Sequence, residues 1–236
     1  MSRSVSFLLT FVIAVALPVA AQAQTTDAPA DPVAVIKVEG AIDRPLMGYL
    51  LAQIEEAVAD NAVIVLQLDS AGTIGQDGIA FAQQLVALPV PVLVWVGAVP
   101  ARASGAGMLL MDAASLASVA PGSQTGPLNP IDLLHPAPPP ADLNATIQGW
   151  LAARDRTDVK LEHQDEAMSG QLAVDYGFAS FGATSVIDLL NQADGDTVQT
   201  ANGPWELHTK VATTDADVSN GVGVSIRFIE PGLLVR

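Results

Sequence analysis

The chain has 236 residues, half of them hydrophobic and only 15% charged, which suits one α/β domain with extensions and excludes a disordered polypeptide. Its formal net charge of −15 makes nucleic acid and anionic lipid headgroups poor partners, and solubility is the simplest use of such acidity. It contains no cysteine, which excludes thiolate catalysis, disulfides and cysteine metal sites.

Met1–Ala23 has the three parts of an export signal: Arg3 near the start, the apolar run Val5–Leu17, and the cleavage pattern Ala21-Gln22-Ala23. It predicts export to the periplasm or another extracytoplasmic compartment, with a membrane anchor only where the signal stays uncleaved. Residues 24–32 form a polar, proline-containing linker. Val33–Val38 is a short apolar run before Gly40 and suits a first strand. From Pro45 to Asp60, the apolar positions Leu46, Tyr49, Leu50, Ile54 and Ala57 recur at helical spacing. Val63–Leu68 reads as a buried strand that runs into a tight turn at Asp69–Thr73. Ile79, Phe81, Ala82, Leu85 and Val86 predict a second helix stopped by Pro89, and Val92–Val96 a third strand. Such alternation implies right-handed crossovers and a largely parallel sheet, in which sites lie beyond the carboxyl ends of the strands.

Both small-residue turns, Asp69–Thr73 and Pro100–Gly107, fall at those ends. The apolar run Met108–Leu116 follows the second turn and reads as a helix. A strand, a sharp turn and a helix N-terminus together can mount a reactive hydroxyl and face developing negative charge. Pro121–Pro140 cannot be one helix; it is a loop over the site or a disordered excursion. Asp142–Ala153 reads as a helix capped by Asp142, and Met168–Tyr176 and Thr184–Gln192 as two more. Thr197–Thr200 and Trp205–Thr209 suit a hairpin around Asn202-Gly203, while residues 215–236 carry few signals. No apolar run after residue 32 is long enough to span a bilayer. No carboxylate pair or histidine cluster has metal-ligand spacing, so neither metal nor cofactor is expected.

These landmarks, in this order and spacing, resemble the soluble N-terminal domain of the NfeD-type membrane-bound serine proteases, relatives of ClpP within the crotonase fold. The resemblance rests on Val35–Ile42, Leu66–Gly72, Ser104–Gly126, Ala173–Phe178 and Ile187–Leu190. It implies an α/β domain over residues 33–210, a ClpP/crotonase-like βαβ superhelix with a largely parallel sheet. Residues 211–236 are then a C-terminal tail, in place of the membrane domain that normally follows in the family. It also implies a homo-oligomer that binds hydrophobic, membrane-proximal peptides.

The resemblance also assigns roles, and this chain departs from them. The family nucleophile is the serine of a Ser-Ala-Gly turn; here Gly107 matches the glycine, Ala106 the alanine, and Gly105 the serine. Ser104 is one residue away, a rotation of roughly 100° on a helix, so it is either a turn or cap serine or a displaced nucleophile. The family base is a lysine leading into the helix at Asp142–Ala153, yet no lysine occurs between Lys37 and Lys160. Lys160 lies on the far side of that helix and reads as a solvated lysine. His135 is the one imidazole in the loop, a surface histidine or an improvised base. The family's Asp-Thr-Pro-Gly-Gly oxyanion turn appears as Asp69-Ser70-Ala71-Gly72-Thr73, keeping Gly72 but placing Thr73 where a substrate strand would pass. Asp69 suits a strand-end acceptor better than an acid or base, and Asn129-Pro130 a turn. The expectation is a catalytically impaired homologue. The alternatives are an active serine endopeptidase using Ser104, and a crotonase-like acyl-CoA enzyme. Export and the lack of a basic cluster for phosphates speak against the latter.

Overall fold

The computed structural model describes residues 29–211 and 225–231. The export signal and residues 24–28 of the linker lie outside the described residues. In chain order the elements are β1 (Val33–Glu39), α1 (Arg44–Ala59), β2 (Val63–Asp69), α2 (Gly78–Val86), β3 (Val92–Val96), β4 (Arg102–Ala103) and α3 (Ala106–Ala113). There follow β5 (Leu116–Val119), β6 (Gln124–Thr125), α4 (Leu143–Ala153), β7 (Met168–Ser169), α5 (Gly170–Asp175), β8 (Phe181–Gly182), α6 (Val186–Ala193), β9 (Thr197–Thr200), β10 (Gly203–Glu206) and β11 (Ile226–Ile229).

A six-stranded sheet in the order β11-β1-β2-β3-β5-β8 forms the centre, and every neighbouring pair is parallel. Its strands are apolar on both faces because both faces are covered. Ile36, Ile64, Leu66 and Val94 point toward α1, α2 and α3. Val35, Val65, Leu93 and Trp95 point the other way, toward α6 and the β9–β10 hairpin. Trp95 buries its ring there and donates its indole N–H to Ala183 O at 2.9 Å.

Local chemistry sets several boundaries. Asp43 accepts the Leu46 N–H at 3.0 Å, and Pro45 occupies the first turn of α1, where a missing N–H costs nothing. Ser185 caps α6 by accepting the Asp188 N–H at 3.1 Å. Among the described residues no helix is long and apolar enough to cross a membrane.

The structure departs from the sequence expectations at five places. The helix after the second turn stops at Ala113, and Leu116–Val119 is a sheet strand filling the gap between β3 and β8. Sheet pairing there overrides a run that reads equally well as helix. Asp142 precedes α4, but its side chain makes no cap; its carbonyl accepts from Thr146 instead. The expected helix from Met168 begins at Gly170, because Met168–Ser169 pairs with β6 and Ser169 caps the helix. The hairpin turns at Ala201-Asn202, so its second strand is Gly203–Glu206 rather than Trp205–Thr209. Finally, β11 lies in the segment read as a tail, yet it pairs with β1 and extends the sheet.

Candidate functional site

Glycine and backbone define the centre of the cleft. Ser70 N donates to Arg102 O at 2.7 Å and Ser104 N donates to Ser70 O at 3.0 Å, binding the first turn to β4. Asp69 closes this junction by accepting the Arg102 N–H at 2.9 Å, a structural use of its carboxylate. On its other side β4 pairs with β6. This platform delivers Gly105 to the N-terminus of α3 with φ 54° and ψ −126°, in the region where an L side chain is strained. A Cβ built on Gly105 would lie 3.1 Å from the Gly72 Cα, so the two turns meet in one cleft. Gly72 itself has φ 138°.

That space is filled. A Cβ at position 105 would meet Pro130 O at 2.5 Å and Ala71 O at 2.9 Å. A Cβ at position 72 would meet Ile131 O at 2.8 Å. Part of the stretch expected as a loop or disordered excursion is therefore held against the first turn: Thr73 and Asp132 are partners in an isolated parallel β-bridge. Thr73, fully buried, donates its N–H to Ile131 O at 3.0 Å and accepts the Leu133 N–H at 2.8 Å.

The candidate residues separate on this frame. Gly72, Thr73 and Gly105 come together at the cleft. Gly107 faces the core, where a Cβ would meet Ser70 O at 3.0 Å and the side chains of Ala103 and Leu68. Ser104 is half-buried and its hydroxyl makes one long contact, 3.4 Å to Ala71 O. His135 pairs with Asp132 at 3.2 Å and leaves 74% of its side chain exposed. The N–H groups of Gly75 and Leu134 hold the Asp132 carboxyl below the usual carboxylate range. Lys160 donates to Asp175 O at 3.2 Å and lies over the Tyr176 ring, so it serves that surface. Asn129 donates to Asp165 at 2.8 Å. Among the described residues no group of acidic or imidazole side chains has metal-site geometry.

Sequence reasoning missed two features. One is the Pro130–Leu133 segment itself. Its alternation is too short to read as a strand between prolines. The other is an ionic cluster at the far end of α3. Asp112 is fully buried and neither carboxylate oxygen meets a donor among the described residues. Burial pushes this carboxyl up to about 7, against the pull of the Arg156 guanidinium. Arg156 donates to Met111 O, Ala114 O and Phe178 O, and Arg154 to Ala113 O, Leu85 O and Gln199 O. Burial, with Arg156 nearby, pulls the Arg154 guanidinium down to about 10.

No family model and no curated protein sequence matches this chain. Solved structures do. A complex of the 1510-N membrane-bound stomatin-specific protease, a lysine-to-alanine mutant holding a substrate peptide, superposes with a TM-score of 0.68 and 20% identity, covering 86% of this chain and 94% of that one. The 1510-N protease from Pyrococcus horikoshii, specific for a stomatin homolog, gives 0.65 and 19% over 86% and 94%. This chain has the 1510-N fold. A serine-to-alanine mutant of 1510-N gives 0.67 and 20% over 86% and 100%, so nearly the whole described domain is shared. The α/β, ClpP/crotonase-like architecture expected from the sequence is thus the architecture observed.

Proposed function

We propose that this chain is a non-hydrolytic relative of the NfeD-type serine proteases that binds extended hydrophobic peptides in the cell envelope. One observation carries the proposal: the position at the start of α3 that would hold a nucleophile is a glycine in a strained conformation, and a Cβ there would run into Pro130 O. A hydroxyl cannot be added without moving backbone. Neither candidate base makes a hydrogen bond to Ser104: His135 is solvent-exposed beside Asp132, and Lys160 donates to Asp175 O. Loss of the nucleophile in comparable triads costs about a millionfold in turnover, and loss of the base overlaps with it. Peptide binding is supported by the 1510-N fold, one of whose structures carries a substrate peptide. Backbone donors and acceptors can persist after catalytic side chains are gone. Envelope location rests on the signal pattern of Met1–Ala23, and homo-oligomerisation on the resemblance alone.

The test is an activity-based fluorophosphonate probe beside a peptide-binding titration. The wild-type protein is expected to bind an apolar peptide without being labelled. Labelling that disappears in Ser104→Ala would instead establish Ser104 as a working nucleophile.

A further inference from the structure

We infer that Pro130–Leu133 is an internal strand ligand, a strap that occupies the peptide position of the cleft and must be displaced before an outside peptide binds. This deepens the peptide-binding proposal and rests on it. Thr73 sits in two isolated parallel β-bridges, so residues 72–74 present two edges. Ile42 takes one edge, donating to Gly72 O at 2.9 Å and accepting from Ile74 N at 3.0 Å. The other edge faces Gly105, and its donor and acceptor are both on Thr73. Ile131 O accepts the Thr73 N–H at 3.0 Å and the Thr73 hydroxyl at 3.2 Å, while Leu133 N donates to Thr73 O at 2.8 Å. An extended peptide adds to a sheet through these same backbone groups. The edge is complementary to a peptide and already satisfied by the chain's own backbone.

Side chains and carbonyls repeat the imitation. Pro130 O lies 2.5 Å from a Cβ built on Gly105, in the space that a side chain there would take. Ile131 and Leu133 stand over Gly78 and Gly72, their nearest atoms 3.2 and 3.4 Å from Cβ positions built on those glycines. Three of the strap's four residues, Pro130, Ile131 and Leu133, are apolar, like the peptides proposed to replace it. Its hold is small: the Thr73 bonds are supplemented by the Asp132 carboxylate, which accepts from Gly75 N at 3.0 Å, while its bond from Leu134 N at 2.9 Å only shapes the segment itself. Leu133, Leu134 and His135 remain exposed. A strap held by so few bonds can peel without unfolding the sheet.

A closed strap reduces apparent peptide affinity by the fraction of molecules that are open. Two variants move that fraction in opposite directions. Leu133→Pro deletes the donor to Thr73 O. Thr73→Cys with Asp132→Cys places the chain's only two cysteines on bridged positions, so oxidation locks the strap. The probe is a fluorescein-labelled peptide of about eight residues, rich in Val and Leu, the length of a short strand. Anisotropy titration is expected to show Leu133→Pro binding about fivefold to tenfold tighter than wild type, the scale of one lost hydrogen bond. The oxidised double-cysteine variant should bind at least about tenfold more weakly than the same variant reduced. Equal affinity in the oxidised and reduced forms, with binding present, overturns the strap and leaves peptide binding standing. No binding in any form, Leu133→Pro included, removes the peptide-binding proposal and the strap with it. Amide exchange gives a readout independent of either variant: the Leu133 amide of the wild-type protein should be protected alone and should lose that protection when peptide is added.

Discussion

The two ends of α3 solve opposite problems. At its N-terminus there are no side chains to pack: Gly105 and Gly72 face each other and carbonyls of Ala71, Pro130 and Ile131 fill the space between. At its C-terminus it has buried charge: Asp112 without a donor, and Arg154 and Arg156 spread over six carbonyls from α2, α3 and the segments beyond. The first end is lined mainly by glycine and backbone carbonyls, while the second has ionic groups that serve the scaffold. A perturbed carboxylate is commonly a sign of function, yet here the strongest one lies away from the cleft. The difference teaches that in this fold the helix can be held from behind by buried ionic groups while its N-terminus is built from glycine and backbone.

Removing a guanidinium from the rear should do the most damage. Arg154→Met keeps much of the volume but leaves the carbonyls of Ala113, Leu85 and Gln199 without this donor. It should cost about 3–5 kcal/mol, read as a lowered midpoint in urea unfolding. At the front, Gly105→Ala should cost about 2–4 kcal/mol, because φ 54° strains any Cβ and Pro130 O and Ala71 O are backbone atoms that cannot rotate away. Gly105→Ser should suffer equally. Under the proposed function, serine alone should not gain probe labelling, because Pro130 O occupies the space beside position 105.

Asp112 sharpens the comparison through pH. Its folded-state value of about 7 is raised above the ordinary 3.8. Both states are protonated below about pH 4, and between there and pH 7 only the unfolded state loses its proton, so stability falls as pH rises across that window. Asp112→Asn has no such penalty. It should exceed wild type by on the order of 2–4 kcal/mol at pH 8, with the gap narrowing toward pH 4, as measured by urea unfolding at each pH. The smallest effect belongs to Ser104→Ala: its one contact is 3.4 Å long, and the change should stay within about 0.5 kcal/mol.

Much of the scaffold is legible in the sequence because its signals are local. β1, β2, β3, α1 and α2 each carry their own periodicity, and small-residue turns mark the carboxyl ends of the strands. Where an element exists only through a distant partner, local signals fail. Leu116–Val119 is a strand because β3 and β8 leave a place for it, and Met168–Ser169 because β6 does. The cleft divides the same way. Gly72, Thr73 and Gly105 could be found by position, but the occupation of Thr73 by Ile131 and Leu133 depends on a contact 58 residues apart. Arg154 and Arg156 look like ordinary surface arginines in sequence, since nothing local says that helix-end carbonyls from elsewhere converge on them.

The strand order has one more consequence, for how the chain acquires its structure. Among the described residues β1 is the first strand in sequence, yet one of its two neighbours is β11, the last, with Val33 opposite Ile226. Until residues near 226 are available, β1 presents an unpaired edge of Ala, Val and Ile to whatever extended chain is near. Parallel pairing across so long a separation carries a large loop-closure cost and forms late. An unpaired β1 edge is the kind that invites strand exchange between molecules, and β11 is the strand that closes it.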